Sequence, residues 1–210
     1  MMKNVLLAVA ISGVMASAQA GVLINEGFDD VSALGSKGWI IDNASSPAGP
    51  LTWFQGDQSV FRAQNGAPNS YAAINYLTGK DGGTLANWLI TPEFSTVMGT
   101  SVSFWLRADP VANYSDQVKF GVSAGGSALT EFALSQAVTV ATGEWTKYVF
   151  NLAPTNGTMR FAIQYTGMAD SANYLGLDNL RVTEIPEPAS LLILAAGAVG
   201  LVAARRRKRA

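Results

Sequence analysis

The side chains that usually carry acid–base and nucleophilic chemistry are scarce in this sequence. Its 210 residues include no histidine and no cysteine. That removes the commonest general base, along with thiol nucleophiles, zinc–thiolate sites and disulfides. Ser–His–Asp and Cys–His arrangements cannot form, and no S-x-x-K triplet spacing offers a Ser–Lys dyad. Two carboxylates about 5–10 Å apart would suffice to cleave a glycosidic bond, but the fourteen acidic residues of 21–185 sit in no recognisable motif. A glycan-acting hydrolase is therefore the weakest of the functional readings, and the chain reads as a non-enzyme. The glycine pairs Gly82-Gly83 and Gly125-Gly126 lack the G-x-x-x-x-G-K-[ST] frame and open no helix, so they read as turns.

Aromatic side chains are better represented. Five tryptophans occur, Trp39, Trp53, Trp88, Trp105 and Trp145. Exposed aromatic rings can stack on sugars, whereas tryptophan is on average a buried residue. Trp105 alternates out of phase with Val102, Phe104 and Leu106, so it falls on the opposite, outward face of its strand. With nearby Tyr114 it is the candidate glycan contact; packing at a sheet edge beneath a loop is the competing role.

The elements that must position these residues are strands. Val102, Phe104 and Leu106 alternate with polar neighbours, and so do Val118, Phe120 and Val122. Tyr148, Phe150 and Leu152 repeat the pattern, as do Phe161, Ile163 and Tyr165. Period two with one apolar face marks half-buried strands. Between them lie clusters rich in Gly, Pro, Asn and Asp at 45–50, 65–69, 80–83, 125–126 and 154–157, which are turn and loop compositions. Many short strands so punctuated predict an all-β module, a jelly roll or two-sheet β-sandwich.

Both ends of the chain differ from this module. Lys3, an apolar run over residues 5–15 and Ala18-Gln19-Ala20 form the pattern of a secretory signal peptide over 1–20, cleaved after Ala20 with Ala18 and Ala20 as the small residues of the site. Residues 21–185 form the mature module. It carries eight basic and fourteen acidic residues, a balance that argues against nucleic acid. Residues 186–210 begin Pro186-Glu187-Pro188 and continue uncharged from Leu191 to Ala204. They end in Arg205, Arg206, Arg207, Lys208 and Arg209. A 16-residue helix covers about 24 Å, short of the roughly 30 Å hydrocarbon core, so it spans as a short transmembrane helix with snorkelling arginines kept cytoplasmic.

Pro-Glu-Pro, a short apolar segment and a terminal Arg-rich cluster, in that order behind a signal peptide, resemble the PEP-CTERM sorting signal. The resemblance implies export through the Sec machinery and transient inner-membrane anchoring. An exosortase would then process the tail at Pro186, Glu187 and Pro188, leading to the cell surface or extracellular matrix.

A second resemblance covers nearly all of 22–185. Asn25-Glu26-Gly27-Phe28-Asp29 opens the module, Gly38-Trp39 follows, and Asn87-Trp88-Leu89-Ile90-Thr91-Pro92 precedes the strand at 101–107. Glu144-Trp145 leads another strand, and Leu177-Asp178-Asn179-Leu180-Arg181-Val182 closes the set. Together they are similar to the choice-of-anchor J domain and its cleaved-adhesin and MAM-like relatives, with Asp29 where relatives often carry Glu. This implies a surface-protein β-sandwich with Trp39 and Trp88 in the core. It also implies a structural calcium at Glu26 and Asp178, which belong to the first and last strand regions; turn capping by both carboxylates is the alternative. The function expected is adhesion or association with exopolysaccharide or surface glycan, with a structural matrix role lacking a specific ligand as the alternative.

Overall fold

Alternating apolar residues must find a common interior, and two antiparallel sheets provide it. The computed structural model describes residues 20–185. The signal peptide with Ala18, and the tail with Pro186, Glu187, Pro188 and its apolar span, lie outside the described residues, whereas Ala20 is described and exposed. The first seven strands are β1 (Val22–Glu26), β2 (Ile40–Asn43), β3 (Ser46–Ala48), β4 (Phe54–Gln55), β5 (Ala72–Asn75), β6 (Gly79–Ile90) and β7 (Phe94–Ser95). They are followed by β8 (Gly99–Ala108), β9 (Gln117–Ser123), β10 (Ala133–Leu134), β11 (Val138–Thr139), β12 (Thr146–Leu152), β13 (Thr158–Met168) and β14 (Tyr174–Ile185).

One sheet runs β12-β8-β14-β5-β4, with β1 also on β14. The other runs β10-β9-β13-β6-β2, with β3 on β6, β7 on β13 and β11 on β9. The four strands expected from alternation are β8, β9, β12 and β13, and their apolar faces point inward as expected. Val102, Phe104, Leu106, Val118, Phe161, Ile163 and Tyr165 are all buried in one core, with Phe120, Val122, Tyr148, Phe150 and Leu152 packed against it. Phe104 sits at its middle, with ring centroids of Phe120, Phe161 and Tyr148 at 5.3, 5.4 and 5.6 Å. The structure is thus the all-β sandwich of the jelly-roll type.

Two turn expectations changed. The 45–50 stretch contributes the short β3, and the 80–83 stretch lies within β6. The pairing explains why. Ser46 faces Thr84 and Ala48 faces Gly79, so residues 80–83 bulge out of the ladder, with Gly82 at φ +69° in the left-handed region that glycine tolerates. The loop chemistry was right; the ladder closes on either side of it.

Each sheet has a covered patch on its outer face. Trp88 and Ile90 are buried there on the second sheet, under Phe132, so Trp88 is buried outside the main core, whereas Trp39 packs in it against Phe28 at 5.8 Å. On the first sheet, residues 56–70 fold over β5 and the start of β14. Phe61 stacks on Tyr71 at 5.1 Å and meets Tyr174 edge-on at 5.4 Å. Gly176 lies beneath, and a Cβ there would come within 2.8–2.9 Å of Phe61, Tyr71 and Trp145, so the strand must be bare at that point for the loop to seat.

Candidate binding site and sorting tail

The two residues expected to share a glycan contact lie on different parts of the fold, one in strand β8 and one in the loop that follows it. Trp105 lies outward on β8, opposite Lys147 on β12 and Asp178 on β14, and is half-buried. Tyr114 lies beyond the end of β8, in the loop to β9, and is 45% exposed. There it lines a cleft of about 490 Å³ with Tyr76, Asp81, Val111, Ala169, Asp170 and Asn173, and Trp105 is not among the lining residues. The aromatic ring that lines this cleft with Tyr114 is Tyr76. β8 ends between Trp105 and Tyr114, and the chain turns off the sheet there.

The cleft is assembled by strand ends. Tyr76 follows β5, Asp81 rides the bulge of β6, Tyr114 follows β8, and Asp170 and Asn173 lie between β13 and β14. Local hydrogen bonds hold the pieces. Gly82 N–H donates to Asp170 Oδ1 at 2.8 Å, and Asn173 Nδ2 donates to Asp109 Oδ2 at 3.0 Å. Ser115 N–H donates to the Ser171 carbonyl at 2.8 Å. Behind them Asp116, fully buried, accepts from Tyr165 OH at 2.5 Å, Asn173 N–H at 2.9 Å and Tyr174 N–H at 3.3 Å. Burial pushes the Asp116 carboxyl up, against those three donors. Exposed tyrosine rings beside exposed carboxylates suit a polyhydroxylated ligand, whose apolar ring faces stack while its hydroxyls donate. Asp81 and Asp170 are both exposed.

A larger hollow of about 770 Å³ opens between the edge strands β2 and β4, over Trp39, Trp53, Ile41 and Phe54, with Asp30 and Ser32 at its rim. Its two indoles are only 5% and 3% exposed, which leaves little ring face for a ligand.

Glu26 and Asp178 were expected to meet through adjacent first and last strands. The strands are adjacent, with Glu26 opposite Leu180, but the carboxylates serve different partners. Glu26 Oε1 accepts from Phe28 N–H at 2.9 Å, and Lys37 Nζ sits 3.0 Å from Oε2. Asp178, fully buried, accepts from Gln64 N–H at 2.8 Å and Asn65 N–H at 3.2 Å on one oxygen and from Asn179 N–H at 2.6 Å on the other. Burial pushes its carboxyl up to about 6 despite these donors, and the nearby Asp29 carboxylate adds to the rise. Glu26 does not fit a calcium site, because an ammonium and an N–H already hold its oxygens. A calcium at Asp178, with the nearby Asp29 as second carboxylate, would have to displace some of the three N–H donors that hold the Asp178 oxygens. Among the described residues no three acidic side chains gather, so the remaining oxygens would come from backbone carbonyls and water. In the structure at hand Asp178 pins the loop 56–70 to β14.

The described chain ends on Ile185, still paired with Gly99. The model of the PEP-CTERM protein-sorting motif matches residues 184–208. The tail is a PEP-CTERM sorting signal. It implies export, a membrane-anchored stage and then display at the cell surface. The PEP-CTERM tail begins with no spacer after the last strand, and its first matched residue, Glu184, belongs to β14.

No curated protein matches the chain. Among solved structures, the K3 cleaved adhesin domain of Lys-gingipain from Porphyromonas gingivalis W83 matches with a TM-score of 0.59 at 19% identity, over 79% of this chain and 99% of that one. The K1 domain of the same protein matches with a TM-score of 0.59 at 20% identity, over 77% and 98%. The K2 domain of Lys-gingipain gives 0.55 at 14%, over 76% and 98%. The sandwich thus has the fold of the cleaved adhesin domains, in keeping with the resemblance to choice-of-anchor J domains.

Proposed function

We propose that the mature module is a non-enzymatic surface or matrix protein that associates with exopolysaccharide through the cleft of Tyr76 and Tyr114. The observation that carries this reading is the pairing of two exposed tyrosines, 42% and 45% exposed, with Asp81, Asp170 and Asn173 at one end of the sandwich. The position of the cleft supports it. β14 starts beside the cleft and ends where the PEP-CTERM tail begins, and twelve residues of strand cover about 36 Å. The cleft therefore lies at the opposite end of β14 from Ile185, where the described chain ends. The adhesin fold is in keeping with this role. In the same reading a structural calcium is held by Asp178 and Asp29 and fastens the loop 56–70.

Affinity electrophoresis of the mature protein through gels containing the host's exopolysaccharide tests the proposal. Tyr76→Ala and Tyr114→Ala should each weaken retardation about tenfold, equivalent to about 1.4 kcal/mol, while Trp105→Ala leaves it unchanged. Unchanged retardation of the double tyrosine variant would move the site elsewhere. Absence of retardation for the unaltered protein would leave a structural matrix component without a specific ligand.

A further inference from the structure

The outer face of the first sheet is only half covered. The loop 56–70 reaches as far as Asp178, where Gln64 and Asn65 donate to its carboxylate, and Arg107 stacks on Phe61 with its guanidinium carbon 4.6 Å from the ring centroid. Beyond Asp178, toward the end of β14, the register defines what faces outward. Trp105 and Lys147 are opposite one another, Val149 lies opposite Ser103, which also pairs with Arg181, and Val22 lies opposite Thr183, two residues from Ile185. Val22, Val149 and Ile185 are 52%, 55% and 41% exposed, and Lys147 and Arg181 are exposed as well. The other outward positions here are Ser, Thr, Asn and Gly. The outward strand positions of the open half-face therefore combine aliphatic side chains, a half-buried tryptophan and two cations, with the exposed Asp29 carboxylate at the Asp178 border, in a module with fourteen acidic residues against eight basic ones.

That composition matches a membrane–water interface: tryptophan at the headgroup level, aliphatic residues reaching into the acyl boundary, and Lys and Arg on anionic lipid. The connection to the tail brings such an interface within reach. Only Pro186 to Ser190 separate Ile185, at the border of this face, from the uncharged run that begins at Leu191. Five extended residues reach at most about 18 Å.

We infer that, while the tail is inserted, the open half-face formed by Val22, Trp105, Lys147, Val149, Arg181 and Ile185 rests on the anionic surface of the bilayer. This rests on the membrane-anchored stage that the sorting signal implies. It gives Trp105 a lipid role in place of a glycan one, and it leaves the Tyr76–Tyr114 cleft at the far end of β14 free. Docking also places the junction at Ile185 against the membrane, where an integral-membrane processing enzyme meets it.

The chain has no cysteine, so single environment-sensitive labels can be placed in the full-length protein. Val149→Cys reports the face, and Thr130→Cys, exposed over the other sheet, serves as the control. Both are reconstituted into phosphatidylcholine vesicles with and without phosphatidylglycerol, and flotation verifies insertion. The label at 149 should shift to the blue and be quenched several-fold less by aqueous iodide than the label at 130 in anionic vesicles. The difference should fall at least twofold in phosphatidylcholine alone and in the Lys147→Glu, Arg181→Glu variant, which should float as well as the parent. Equal quenching at both positions in floated anionic vesicles overturns the docking while leaving the anchored stage intact. Failure to float overturns both. Protection of position 149 in detergent without vesicles overturns the lipid assignment in favour of a second protein chain.

Discussion

The Glu184 amide donates to the Gly21 carbonyl at 2.8 Å. The first residue after the expected signal-peptide cleavage is thereby stitched to the residue two positions before the Pro-Glu-Pro motif. β1 occupies the length of β14 that β5 leaves free, with β5 pairing Tyr174 to Leu177 and β1 pairing Leu180 to Thr183. The two ends of the described chain thus sit at one corner of the sandwich, and the last strand is held on both sides as far as Glu184.

Removal of residues 21–26 should therefore loosen the corner from which the tail leaves. Leu23 and Ile24 pack on the core, and a fully buried aliphatic side chain contributes about 1.5–3 kcal/mol. The shortened protein should lose about 3 kcal/mol or more in urea unfolding. Amide exchange at Val182 and Glu184 should accelerate far more than at Phe161. Unchanged exchange at Glu184 would show that β8 alone holds the last strand.

Gly176→Ala should unseat the loop 56–70. The added methyl meets three aromatic rings at 2.8–2.9 Å, and overpacking of this kind costs about 1–3 kcal/mol. The melting temperature should drop and proteolytic nicking within 57–69 should increase, with the main core unaffected. Full stability in the alanine variant would mean that the loop does not lie on β14 as described.

In calcium-free buffer the stability should fall as the pH rises from 4 to about 6.5. Asp178 and Asp116 are both pushed up by burial, Asp178 to about 6. A carboxyl that holds its proton more tightly when folded stabilises the protein fully below its unfolded value near 4, and that contribution is lost as the pH passes the folded value. Asp30 and Asp57 are held low by the Ser32 and Ser59 hydroxyls. They act in the opposite sense, with loss of stability on acidification below about 4. Calorimetry across this window should show a decline that is clearly shallower in Asp178→Asn. A melting temperature that rises steadily from pH 4 to 6.5 contradicts the assignment.

Calcium should reverse that decline. Millimolar calcium at pH 7 should raise the melting temperature by several degrees, chelation should remove the gain, and Asp178→Asn should show neither effect. A Glu26→Gln variant should retain the calcium response, because Lys37 and Phe28 hold that carboxylate. No shift with calcium in the unaltered protein would leave Asp178 as a loop pin alone.

Tyr165→Phe removes the hydroxyl that donates to buried Asp116. Leaving a buried charge short of a donor costs about 1–3 kcal/mol or more, and the loss should appear in urea unfolding. Because Asp116 also orders Asn173 and Tyr174, the variant should bind exopolysaccharide more weakly, although residue 165 lies outside the cleft lining.

The sequence by itself determined the class of fold and the architecture of the chain. Period-two alternation is a local property, so the inward faces of β8, β9, β12 and β13 could be read directly. The sorting tail is legible because its order of motif, apolar run and cations acts as a linear signal. Missing residue types are likewise absolute, and the lack of His and Cys excludes whole mechanisms without any coordinates. The outward direction of Trp105 also followed from alternation. What it faces did not, because that depends on how far the loop 56–70 extends over the sheet. Tertiary structure alone decided the companions of each candidate residue. Tyr76, Asp81, Tyr114, Asp170 and Asn173 come from three separate connections and the bulge of β6, and no spacing links them until the ends of β5, β6, β8, β13 and β14 meet at one pole. Asp178 lies far from Gln64 and Asn65 in the chain, so its role as the anchor of their loop has no linear signature. Lys37 reaches Glu26 from the second of two short helical turns that follow β1, and that contact too has no linear signature. Pairing across sheets and loops is a non-local choice, settled by which surfaces can be buried together.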